Sequence, residues 1–141
     1  PLCRCGNRGC LELYASARDA VAQAERRLGR PVGIDGLVAL AREGDEDSRR
    51  KIVAMAEAAG KGLAIIGTAL NPGLVVLGGQ LSRAGEMLLG PLSESYERHT
   101  LVKRAGVAPE ARTRFVTGVF TDNDACLGAV GLVLRHHGRL G

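Results

Sequence analysis

The sequence predicts an α/β protein, on three observations. A short apolar run, Leu74–Leu77, stands between the breaker Asn71-Pro72-Gly73 and the glycine pair Gly78-Gly79, which is the pattern of a buried parallel strand running into a tight turn. Stretches on either side repeat apolar residues every three or four positions, as amphipathic helices do. A second apolar stretch at residues 113–120, with Phe115, Val116, Val119 and Phe120, offers a partner strand or strand pair. Helix, turn, strand, glycine pair and helix in that order make an α/β crossover.

The elements follow in order. Residues 11–28 read as one helix, with Ala17, Ala20, Val21, Ala24 and Leu28 on one side and Gly29-Arg30-Pro31 ending it. A short helix at 35–42 takes Asp35 as its N-cap and stops at Gly44. Asp45 or Asp47 caps the longest helix, which reaches about Leu70 and turns Ile52, Met55, Ala59, Leu63, Ile66 and Leu70 inward. Gly60 and Gly62 inside it weaken the helix, and close packing is the reason assigned to them. Beyond the strand, Ser82 or a neighbour starts another helix, and Pro91 opens a further one to about His99. Residues 101–113 are polar and irregular. Asn123 or Asp124 caps a last helix at 125–137 with Leu127, Val130 and Leu134 inward.

Composition bounds what such a chain does. At 141 residues, 45% hydrophobic and 24% charged, it is the size of one domain, residues 1–141, with enough apolar surface for a core. Twenty glycines and only four aromatics mean packing by Ala, Leu and Val with close backbone approach. The net charge of +4 is spread over scattered arginines, a solvated surface rather than a nucleic-acid stripe. No membrane partner is expected, because the one tempting helix, near residues 52–70, carries Glu57 and Lys61. The cytoplasm is the expected compartment, given metal-like thiol spacing and no secretory leader. A chain opening on Pro1 is expected to be part of a longer protein.

Three of the four cysteines, Cys3, Cys5 and Cys10, fall within the first ten residues. Thiolates at that spacing, with Gly6 and Gly9 letting the backbone fold back, supply three corners of a zinc tetrahedron. A redox pair is the weaker reading, since no Cys-x-x-Cys is present. Arg4 and Arg8 partly offset the thiolate charge. Cys126 reads as a small core residue, His136-His137 as a pair suited to a helix C-terminus, and Asp122 and Asp124 as capping groups rather than a general base.

The string from Cys3 to Glu12, Cys-Arg-Cys-Gly-Asn-Arg-Gly-Cys-Leu-Glu, resembles the signature of the ROK family, the bacterial repressors, open reading frames and sugar kinases. Leu70 to Gly79 resembles that family's Asn-Pro, apolar strand and Gly-Gly segment, and Asp124 to Gly131 its closing Gly-Ala helix. The resemblance implies the C-terminal half of an actin-like, ribonuclease H-like ATPase fold, with residues 1–12 a zinc-binding loop and 13–141 the α/β body. It implies zinc on Cys3, Cys5 and Cys10, with a histidine before residue 1 as fourth ligand. Glu12 is implied to accept hydrogen bonds from sugar hydroxyls, and Gly78 and Gly79 to lie near a nucleotide if the parent is a kinase. The catalytic aspartate, the Asp-x-Gly-x-Thr phosphate loop and any DNA-reading domain are implied to lie outside this chain, which by itself is expected to be inactive. The implied parent is a sugar-responsive transcriptional regulator, whose string it resembles most, or an ATP-dependent sugar kinase of the glucokinase type. Partners are a sugar or derivative, DNA only through an N-terminal domain, and a homo-oligomer that the apolar helices permit.

Overall fold

A computed structural model of the chain describes residues 1–101, 112–120 and 123–138. Most of the stretch expected to be irregular, residues 102–111, lies outside them, as do Asp122 and the Asp124 side chain. The elements run α1 (Glu12–Ala15), α2 (Ala17–Leu28), α3 (Gly33–Arg42), α4 (Glu46–Leu70), β1 (Leu74–Leu77), a 3-10 turn (Gln80–Ala84), α5 (Glu86–His99), β2 (Arg114–Thr117) and α6 (Asp124–His136). β1 and β2 pair in parallel, Leu74 opposite Arg114 through Leu77 opposite Thr117, so the predicted α/β crossover forms.

The core lies where α2, α3 and α5 meet α4. Leu37 of α3, Ile52 of α4 and Leu92 of α5 are its fully buried large side chains, with Ala17, Ala20 and Ala24 of α2 closing it. Leu77 and Phe115 reach it from one face of the strand pair, and Phe115 meets the Tyr96 ring edge-on at 5.0 Å. The other face carries Leu74, Val76 and Val116, all exposed. β1 is therefore covered on one side only, which corrects the expectation of a strand buried on both faces. The same correction applies to α6, where Leu127 and Val130 are exposed and Cys126 is exposed rather than core.

Along α4 the buried stripe is Ile52, Met55, Ala56, Gly60, Ala64 and Gly67. Ile66 and Leu70, expected inward, are 52% and 73% exposed. Bulk comes from α5 instead: a Cβ at Gly60 would strike the Leu92 carbonyl, and one at Gly67 the Tyr96 ring. Ser95 then donates its hydroxyl to the Glu57 carbonyl across the seam at 2.7 Å. Gly62 instead lies under the Leu11 side chain. Close packing thus accounts for both glycines as expected. Among the described helices α4 alone is long and apolar enough to cross a membrane, and that apolar content is the surface on which the other helices pack.

The starts of α3 and α5 differ from expectation. α3 begins at Gly33, and the carboxylate of Glu25, on α2, accepts from the Val32 and Gly33 N–H groups at 3.0 and 3.4 Å. Asp35 is consequently free to pair with Arg83 of the 3-10 turn. α5 begins at Glu86 and contains Pro91 rather than starting on it.

Asp45 does cap α4, accepting from the Ser48 N–H at 2.8 Å while Arg27 grips both its oxygens at 2.8 Å. The Arg27 guanidinium, and after it Ser48, hold this carboxyl far below the usual carboxylate range. Its contribution to stability is therefore complete above the unfolded-state value, about 3.9, and drains away as pH falls below it. Asp45→Asn, which keeps the cap and loses the charge, should lower the thermal midpoint by a few degrees at neutral pH, and Asp45→Ala by more. The gap between the Asp45→Asn variant and wild type should close as the melt is repeated from pH 4 downward.

Candidate functional site

Two tight turns gather the thiols. The Cys3 N–H donates to the Asn7 carbonyl at 2.7 Å and the Gly6 N–H to the Cys3 carbonyl at 2.9 Å. Gly6 stands at φ +89° and Gly9 at φ +73°, a region that costs a side chain and suits glycine. Leu2 and Arg8 pair as an antiparallel bridge, which returns Cys10 toward Cys5. The three sulfurs lie within 4.8 Å of one another, with Cys5 and Cys10 at 3.5 Å. Sulfurs at about 2.3 Å from a tetrahedral zinc are themselves about 3.8 Å apart, so this donor set fits the ion with little movement. Hydrogen bonding distributes the protons unevenly: the Asn7 backbone, then the Cys10 and Cys3 thiols, pull the Cys5 thiol down, whereas its bonds to Cys5 and Cys3 push Cys10 up to about 11.

Glu12 opens α1 two residues beyond Cys10. The helix expected at 11–28 is in fact two, because Ser16 adopts an extended conformation at φ −94°, ψ 138° and accepts from the Arg18 N–H at 3.3 Å. The break brings Arg18 back to Glu12. Arg18 Nη2 and Arg4 Nη2 each stand 3.3 Å from Glu12 Oε1. These two arginines are the site residues that sequence reasoning missed, since spacing marks Arg4 only as charge balance for the thiolates and nothing local marks Arg18.

Around Glu12 is a cleft of about 180 Å³ walled by Cys3, Arg4, Ser16 and Arg18. Ser16 and Arg18 also line a second hollow, of about 510 Å³, that reaches Gln80. Gln80 follows Gly79, which stands at φ +77° with open space where a Cβ would be. Gly79 also accepts the Ser82 hydroxyl at 2.7 Å, and Gly78 before it is exposed. The structure thus brings Cys3, Cys5 and Cys10 together, sets Glu12 with Cys3 on the wall of one cleft, and places Gln80, the residue after the Gly78-Gly79 turn, on the wall of an adjoining hollow.

The parallel strand pair, its glycine turn and the helices on one face form an α/β unit, and its likeness to solved ROK kinases gives it the actin-like ATPase fold. Over 93% of its length the chain superimposes on a ROK family glucokinase from Streptomyces griseus solved with glucose and AMPPNP, with a TM-score of 0.72 and 26% identity, covering 46% of that chain. The sequence matches the ROK family over residues 1–136, and the chain belongs to that family. It is 34% identical to a glucokinase of Streptomyces coelicolor over 114 residues, 69% of this chain and 36% of that protein. It is 32% identical to the DNA-binding transcriptional repressor Mlc of Escherichia coli over 108 residues, 70% of this chain and 27% of the repressor. The chain therefore spans less than half the length of these relatives.

Proposed function

We propose that the chain is the sugar-sensing, zinc-holding part of a cytoplasmic ROK transcriptional regulator, with residues 1–12 as the zinc loop and 13–141 as the α/β body of one domain. One observation carries this reading: the Glu12 carboxylate, fixed by two arginines, faces a cleft that shares a wall with the thiol cluster. Cys3, Cys5 and Cys10 would hold the ion, which when bound cross-links the loop. Arg4, lying between two of those cysteines, would then set the Glu12 carboxylate. Both arginines bind Oε1, and an ionised carboxylate so oriented accepts hydrogen bonds from vicinal hydroxyls. DNA contact belongs to a segment outside this chain. The likeness to a DNA-binding repressor and the wording of the cysteine loop support the regulator.

The turn at exposed Gly78 and Gly79, the latter with open space where a Cβ would be, favours a second reading, a sugar kinase, in which ATP lies against that backbone. Upstream coding sequence separates the two: a helix-turn-helix segment marks the regulator, an Asp-x-Gly-x-Thr loop the kinase. The sugar site itself is tested by calorimetric titration of the full-length protein with glucose. Glu12→Gln and Glu12→Ala should each cost about 1.5–3 kcal/mol, roughly ten- to a hundredfold in affinity. Equal affinity in wild type and both variants removes Glu12 from the site.

A further inference from the structure

Of the three gathered thiols, two are open to solvent and one is not. Cys3 is 5% exposed, whereas Cys5 is exposed and Cys10 partly so. The Cys5 and Cys10 sulfurs, 3.5 Å apart, are therefore the neighbouring pair that a dissolved oxidant reaches. A disulfide draws its sulfurs to about 2.05 Å, so joining this pair asks for a closure of about 1.5 Å. The chain between them, Gly6-Asn7-Arg8-Gly9, has glycine at both ends, with open space where each Cβ would be. Cys3 is the poorer partner, being buried with its backbone N–H and C=O both tied into the turn by Asn7 and Gly6.

We propose, resting on the zinc reading above, that Cys5 and Cys10 are a redox-modification site: a hydroperoxide oxidises them to a disulfide, which ejects the ion and releases Glu12. One thiolate attacks the peroxide, its S–O bond forming as the O–O bond breaks, and the departing oxygen takes up a proton and leaves as water. The second thiolate attacks that sulfur, the S–S bond forms, the S–O bond breaks, and the oxygen leaves with another proton as a second water. Two thiolates, one hydrogen peroxide and two protons thus give one disulfide and two waters, with both sulfurs oxidised and the peroxide reduced. The thiolate is the metal-binding form, so the ion keeps only Cys3 of the three donors and leaves. Arg4 lies between Cys3 and Cys5 with its guanidinium 3.3 Å from Glu12 Oε1, and through it the change reaches the sugar cleft. Dithiols of the thioredoxin class reduce such a bond, which makes it a switch rather than a staple.

Peroxide titration of the zinc-loaded, full-length protein tests the switch, in wild type and in Cys126→Ser, which removes the other exposed thiol and should behave alike. With a chromogenic chelator present, hydrogen peroxide should release the ion, and peptide mapping should find Cys5 linked to Cys10 with Cys3 still a thiol. Glucose affinity should fall by roughly tenfold, the lower end of what a lost charged hydrogen bond costs. Reduction by thioredoxin and renewed zinc should restore both zinc content and affinity. Zinc content and glucose affinity before oxidant is added read the metal and sugar assignments separately, and the lack of either at that stage overturns that assignment and the switch with it. Zinc retained under peroxide, sulfinic acid at Cys5 or Cys10 in place of the disulfide, or a link through Cys3 overturns the switch alone. So does a glucose affinity indifferent to oxidation, or a loss that reduction fails to reverse.

Discussion

Cys5→Ser and Cys10→Ser protein should retain no zinc after dialysis against a mild chelator, under conditions in which wild type keeps it. A hydroxyl neither ionises at neutral pH nor matches the softness of a thiolate, so each change leaves only two of three thiolate donors. Complete structural zinc sites bind with about 10–16 kcal/mol at neutral pH, and losing a ligand should weaken this one by on the order of a hundredfold or more. Glucose titration should register the change too, although no thiol is called on to touch sugar. Arg4, which pairs with Glu12, sits between Cys3 and Cys5, and slack in that loop frees the carboxylate. Wild-type protein stripped with a strong chelator should behave as the serine variants do. Zinc content equal to wild type in both variants would remove the thiol cluster from the metal.

Gly60→Ala should destabilise the fold by about 1–3 kcal/mol in chemical denaturation, against a helix-propensity gain of up to about 1 kcal/mol. The new methyl would run into the Leu92 carbonyl, stand 2.7 Å from Ser95 Cβ and 3.0 Å from the Tyr96 nitrogen, and two of those three are backbone atoms of α5 that cannot step aside. Gly62→Ala makes the useful contrast. There the obstacle is the tip of Leu11, a flexible and half-exposed side chain, so propensity should offset most of the clash. Equal losses at the two positions would show that the seam between α4 and α5 is looser than its geometry.

What the sequence disclosed and what it hid divide by the range of the interactions. The thiol loop was legible because its ligands, its glycines and Glu12 lie within ten residues of one another and close on local hydrogen bonds. Asp45 was legible for the same reason: a cap is satisfied three residues ahead. The break at Ser16 was not, since the apolar rhythm of Ala17, Ala20 and Ala24 extends back through Leu13 while one serine diverts the backbone. On α4, apolar periodicity selects the large residues Ile66 and Leu70, yet the buried side is the small one, because Leu92 and Tyr96 of a later helix fill the space. Only the four-residue spacing of Ala56, Gly60 and Ala64 hinted at this. Arg18 reaches Glu12 through the unforeseen break, and α3 takes its cap from Glu25 of the preceding helix; both are tertiary accidents of placement. Leu74, Val76, Leu127 and Val130 read as inward from their character alone, and a sequence does not say whether anything lies over them.

The notches at Gly60 and Gly67 have a mechanical meaning. Helices that meet through smooth side chains can slide along each other, but a backbone carbonyl and an aromatic ring seated in glycine gaps fix the axial register of α4 and α5. α4 is 25 residues long, about 37 Å of rigid rod. One flank carries Leu11, next to the thiol loop, and its C-terminal end delivers β1 and the glycine turn. Shear between the two helices is thereby closed off as a way of answering a ligand. Any movement passed between the Glu12 cleft and the glycine turn must be a hinge rotation at the loops, with this helix pair carried as one body.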